Sequence, residues 1–138
     1  MTASDQALDI ARRAAQVASD KKGHDIVAFD VSEQLAITDI FLVISADNDR
    51  QVSSVVDAVE EELLKAKVKC VRREGDRDAR WVLLDFLDVV VHIQQPQERQ
   101  LYSLERLWKD CPQIELGIVN PEPSVLGDNE AVSARVND

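Results

Sequence analysis

The chain has 138 residues, of which 45% are apolar and 30% charged, and carries a formal net charge of −10. That length supports one domain with a modest core. The acidic balance leaves no basic footprint for displacing counterions, which argues against direct DNA binding. No apolar run approaches the roughly 20 residues of a spanning helix, so no membrane role is expected. The start, Met1-Thr2-Ala3-Ser4-Asp5, lacks the basic and apolar regions of a secretory signal. Cys70 and Cys111 match no zinc or redox spacing, and a cytoplasmic protein with reduced thiols is the simple reading.

Residues 4–21 predict a helix capped by Ser4, with Leu8, Ala11, Ala15 and Ala18 on one face and Lys21-Lys22-Gly23 as its stop. Asp25 to Val31 is a strand candidate. Ile37 to Ser45 is the strongest strand of the first half, apolar enough to be buried on both faces. Ala46-Asp47-Asn48-Asp49 is a loop able to cap a second helix over about residues 49–66, where Val52, Val55, Val56, Val59 and Leu63 recur at helical spacing. Val68 to Arg72 predicts a third strand, and strand-helix-strand order implies a parallel pair joined by a right-handed crossover. Trp81 to Phe86 and Val89 to Ile93, separated by Leu87-Asp88, read as a hairpin. A helix through Arg99, Tyr102, Leu104 and Trp108 follows it.

The sum is a single layered α/β domain over residues 1–112, a mixed sheet of about five strands with helices packed on it. From residue 113 the breakers Gly117, Pro121, Pro123 and Gly127 and a run of acids predict a disordered acidic tail, 113–138.

Few residues form a constellation fit for chemistry. The loop Ser45 to Arg50 sits where an open α/β sheet would bind phosphate, but it has no glycine and carries Asp47 and Asp49. It reads as a helix cap, and no cofactor is expected. Asp39, Asp85 and Asp88 could serve a metal-dependent nucleotidyl or phosphoryl transferase if they converged. The weightier reading of Asp85 and Asp88 is a turn shaped by carboxylate-to-backbone bonds, with no metal and no catalysis. His92 reads as a half-buried, hydrogen-bonded strand histidine. Trp108 reads as core. Trp81 and Phe86, at the two ends of one strand, are either core residues or exposed anchors for a partner.

In order, Ile37-Thr38-Asp39, Arg50-Gln51-Val52, Glu74-Gly75, Trp81-Val82-Leu83-Leu84-Asp85, Asp88-Val89-Val90-Val91-His92 and Arg99-Gln100-Leu101-Tyr102-Ser103-Leu104-Glu105-Arg106-Leu107-Trp108 resemble the ribosomal silencing factor (RsfS, YbeB or Iojap-like) family across about residues 5–110. The resemblance implies a nucleotidyltransferase-like fold without catalysis. It implies binding to the large ribosomal subunit through its fourteenth protein, which blocks small-subunit joining when nutrients are short. A part in large-subunit biogenesis and a homodimer are also implied. Carried to this chain, it places Trp81 and Phe86 at the ribosomal-protein contact, with Asp85, Asp88, His92 and Arg99 nearby. The chain departs from the family's pattern in two places: Ala46-Asp47-Asn48-Asp49 replaces a Gly-containing loop, and Leu87 stands where Gly is frequent.

Overall fold

The computed structural model describes residues 2–75 and 78–119. Its elements are α1 (Asp5–Asp20), β1 (His24–Asp30), β2 (Ile40–Ser45), α2 (Asp49–Lys65), β3 (Arg72–Gly75), β4 (Trp81–Asp85), β5 (Val89–Gln94), α3 (Pro96–Tyr102) and α4 (Leu104–Leu107). The five strands form one mixed sheet in the order β1-β2-β5-β4-β3. Neighbours are antiparallel except β2 and β5, which run parallel with Ile40 opposite Val89 and Ser45 opposite Gln94.

Local chemistry explains both long helices. The Ser4 hydroxyl accepts from Ala7 N at 3.0 Å and the Asn48 side chain from Gln51 N at 2.9 Å, so each helix starts at a side-chain cap. Both end alike. After α1, Lys22 N donates to Ser19 O and Gly23 N to Ala18 O; after α2, Lys67 N donates to Leu64 O and Val68 N to Leu63 O. This paired closure needs a left-handed residue, a place glycine usually fills, and Lys22 (φ 73) and Lys67 (φ 64) take it. Gly23 has a different task. A Cβ there would lie 2.9 Å from both Ala18 O and Ile44 Cγ2, so glycine lets the chain enter β1 hard against the core.

The core lies on one side of the sheet. Ala7, Ile10, Ala11, Ala14, Ala15 and Ala18 of α1, with Val52, Val55, Val56, Val59 and Leu63 of α2, meet Ile40, Leu42, Ile44, Leu84, Val91 and Ile93. Alanine on α1 allows close approach, and that packing holds the valine-rich α2 in a helix despite poor intrinsic propensity.

Three expectations need correction. The pair joined by α2 does not form as neighbours: β3 lies at the far edge, and the parallel partner of β2 is β5. Arg72, Arg73, Glu74 and Gly75 are all exposed and suit an edge, whereas every residue of β5 is buried and suits the centre. The last helix is two short ones, broken at Ser103 in a left-handed conformation (φ 37). The segment 113–119, expected to begin a disordered tail, packs as a strap. Asp30 N donates to Pro112 O and Ile114 N to Ala28 O along the outer edge of β1. Arg12 Nε donates to Glu115 O, and Gln16 exchanges two bonds with the Val119 backbone. Ile114, Leu116 and Ile118 pack against the core. The rest of that expectation, residues 120–138, lies outside the described residues.

Candidate functional site

Strand alternation sends every second residue to the face away from α1 and α2. On that face β2 contributes Phe41, Val43 and Ser45, β5 contributes Val90, His92 and Gln94, and β4 contributes Trp81, Leu83 and Asp85. The short helices α3 and α4 lie over it. They bury little, Arg99 from α3 and Leu104 from α4, while Leu101 (71%), Tyr102 (54%) and Leu107 (67%) stay exposed.

An aromatic network occupies this face. The Trp81 indole N–H donates to His92 Nδ1 at 3.1 Å. The Trp81 ring lies 4.9 Å from Tyr102, and Phe41 bridges His92 at 5.1 Å and Trp108 at 5.3 Å. Because His92 Nδ1 accepts, the neutral ring carries its proton on Nε2, which is buried without a partner among the described residues. Burial pushes the His92 pKa down to about 4, so the ring is neutral at physiological pH. The hydrogen bond fixes the half-buried Trp81 ring at the rim, with Tyr102 beside it. Two rigid aromatic groups thus stand partly in solvent on a preorganised floor, an arrangement suited to gripping another macromolecule.

The other residues singled out from sequence fall into separate places. Phe86 is only 4% exposed and packs in the core on the helix side, which corrects the reading of it as an exposed anchor. The exposed residue of the hairpin turn is Leu87, 51% exposed, in the left-handed conformation (φ 73). The turn thus keeps a geometry glycine would favour, with leucine in its place. Asp85 Oδ1 accepts from Leu87 N at 2.8 Å, the turn-shaping bond expected of it. Asp88 lends its carbonyl to Asp39 N and Ile40 N, locking the turn to the start of β2.

Arg99 is buried. It donates from Nη1 to Ser45 Oγ at 2.8 Å and from Nε to Glu105 at 3.0 Å, so its guanidinium is committed inside the molecule, pinning α3 and α4 to β2. Burial alone would raise the Glu105 pKa, but the hydrogen bond from Arg99, a backbone hydrogen bond and the Arg99 charge together outweigh it and hold the carboxyl below its usual range. Asp39, the third acid of the transferase reading, spends Oδ2 on Ser4 N at 2.9 Å. Among the described residues no group of three His, Cys, Asp or Glu side chains could hold a metal ion, so these three acids do not form the site that reading needs. His24 opens β1. Its ring reaches Asp25 at 3.0 Å and Asp47 at 2.7 Å. Both cysteines are free.

The exposed members Leu101 and Leu107 escaped sequence reading because both sit in an apparent helical run. The break at Ser103 turns the second half, so one period cannot place both halves.

The matched family model, described as ribosomal silencing factor during starvation, covers residues 4–137. The chain belongs to the RsfS family. The RsfS protein of Bacillus subtilis is 36% identical over 107 residues, 78% of this chain and 91% of that protein. The RsfS protein of Halalkalibacterium halodurans is 34% identical over 113 residues, 81% of this chain and 97% of that one. The chloroplastic protein Iojap of Arabidopsis thaliana is 32% identical over 111 residues, 80% of this chain but 46% of its own length. A crystal structure of a Chromobacterium violaceum protein superposes with a TM-score of 0.70 at 32% identity, covering 83% of this chain and 94% of that one. The RsfS relationship thus spans the helix-backed sheet and the aromatic face alike, and the mixed five-stranded α/β fold is shared with solved relatives.

Proposed function

We propose that this chain silences ribosomes: it binds the large ribosomal subunit through that subunit's fourteenth protein and blocks joining of the small subunit when nutrients are short. The observation that carries the reading is the Trp81–Tyr102 pair, half out in solvent and fixed from beneath by His92. Ribosomal proteins are basic because they sit on RNA, and a body of net charge −10 is drawn toward them. Aromatic anchors then supply short-range energy, and bulk alone keeps the subunits apart. Binding does the work, with no turnover and no cofactor. The setting is the cytoplasm, the free form is a homodimer, and assembly of the large subunit is a second duty.

The test is co-sedimentation of the purified chain with isolated large subunits, followed by addition of small subunits. Wild-type protein pellets with large subunits and prevents joining. Trp81→Ala and Tyr102→Ala weaken binding by about 2 kcal/mol each, as truncating an interface anchor does. Undiminished subunit joining at saturating protein refutes the silencing reading; full affinity in both variants refutes the assigned face.

A further inference from the structure

One corner of the sheet holds a second polar network, centred on His24. The ring lies between two carboxylates: Nδ1 is 3.0 Å from Asp25 Oδ2, and Nε2 is 2.7 Å from Asp47 Oδ1. A neutral imidazole has one N–H, so its other nitrogen would set a lone pair against a carboxylate oxygen. Only the imidazolium donates to both. Burial draws the ring's pKa down, but the hydrogen bonds and charges of the two acids more than reverse that and leave it raised. The backbone is irregular at this point. Asp25 takes a left-handed conformation (φ 50), and the β1–β2 register shifts between His24 and Val27.

This corner connects to the aromatic face. His24 stands opposite Ser45, Ser45 opposite Gln94, and Gln94 opposite Trp81, one row across four strands. Ser45 Oγ accepts from Arg99 at 2.8 Å, and Arg99 donates to Glu105 at 3.0 Å. The Asp25 charge reaches Glu105 and opposes its ionisation. Three residues beyond Arg99 on α3, Tyr102 meets Trp81.

We propose that His24 is a pH-sensitive latch: its imidazolium bridges Asp25 and Asp47, shields Glu105 from Asp25, and so keeps α3 and α4 seated beside Trp81. The charged groups facing it are Asp25 on its own strand, Asp47 on the loop before α2, and Glu105 on α4 with its partner Arg99 on α3. β2 presents the neutral Ser45 to it, and α1 and α2 pack on the other face of the sheet. As pH rises through the His24 pKa, the ring loses a proton and lets go of one carboxylate. Asp25 then acts on Glu105 without the imidazolium beside it, and the hold of Glu105 on Arg99 weakens. The response is graded, because the side chains of His24, Asp25 and Asp47 are 41, 75 and 61% exposed. The latch is independent of what the aromatic face binds; its effect on ribosome affinity rests on the silencing reading.

Two measurements test it, each from about pH 6 to about pH 8.5, a window that brackets histidine titration and avoids the carboxylates. Amide protection across 96–108 in the free chain, corrected for intrinsic exchange, should fall about threefold as pH rises, the scale of an exposed ion pair. Affinity for purified large subunits should fall in parallel. His24→Arg should hold both at the acidic level throughout, and His24→Gln should hold both at the alkaline level. Asp25→Asn, which suits the same left-handed backbone, should also lose the response. Equal protection at the two pH limits in the wild type, or an unchanged response in His24→Gln, overturns the latch. Affinity that ignores pH while protection follows it overturns the link to the aromatic face. Failure of the wild type to pellet with large subunits removes the silencing reading and leaves the exchange measurement to decide the latch.

Discussion

At the scale of single residues, the two histidines set opposite pH dependences. His92 is depressed to about 4 by burial. Between that value and the ordinary 6.5 the unfolded chain binds a proton that the folded chain refuses, so stability is lost as pH falls. His24 differs. Burial pulls its pKa down, but hydrogen bonds to Asp47 and Asp25 outweigh that and leave it raised. Its contribution is fully present below 6.5 and disappears as pH rises through the raised value. It is small, because the ring is 41% exposed. Urea unfolding should therefore show a loss from pH 6.5 to pH 5 of up to about 2 kcal/mol, at 1.36 kcal/mol per pH unit. His92→Phe should remove that slope; an unchanged slope would mean His92 titrates normally. Sequence placed His92 in a strand and expected it half-buried, whereas it is 5% exposed. Sequence could not show the Trp81 bond, which joins residues on neighbouring strands through their register.

At the scale of elements, α3 and α4 are the least independently stable. Each is shorter than an isolated helix can sustain, and they bury two side chains between them. Arg99 is what fixes them. Arg99→Ala strips Ser45 and Glu105 of their donor and should cost about 2 kcal/mol, the scale for losing hydrogen bonds to a charged group when the partner carboxylate, 39% exposed, can turn to water. Amide exchange across 96–108 should accelerate while α1 and α2 stay protected. Arg99→Lys should not rescue it, since a single ammonium cannot replace the planar fork. Exchange in 96–108 unaffected by Arg99→Ala would show that the helices hold without it. The capped helices α1 and α2 were legible because cap, period and stop lie within a few residues of one another. The break at Ser103 was not, because a left-handed serine leaves no compositional mark.

At the scale of the whole molecule, the strap 113–119 closes the outer edge of β1 and clamps α1 through Arg12 and Gln16. A chain ending at Pro112 loses Ile114, Leu116 and Ile118 from the core margin and should be less stable by roughly 3 kcal/mol, about 1 per half-buried side chain. A chain ending at Val119 keeps those contacts. Thermal melts of the two truncations decide the matter, and equal melting temperatures would reduce the strap to a passive appendage. Its alternation, Ile114, Leu116, Ile118, was present in the sequence but masked by the acids and breakers around it.

Local sequence was enough for the helix caps, the buried strand β2, the hairpin between β4 and β5, and the family, because these depend on neighbours in the chain or on an ordered set of short motifs. Tertiary structure decided the strand order, the burial of Phe86, the exposure of Leu87 and the inward commitment of Arg99. Those depend on which surfaces meet across the sheet, and a residue's own neighbours in the chain do not encode that.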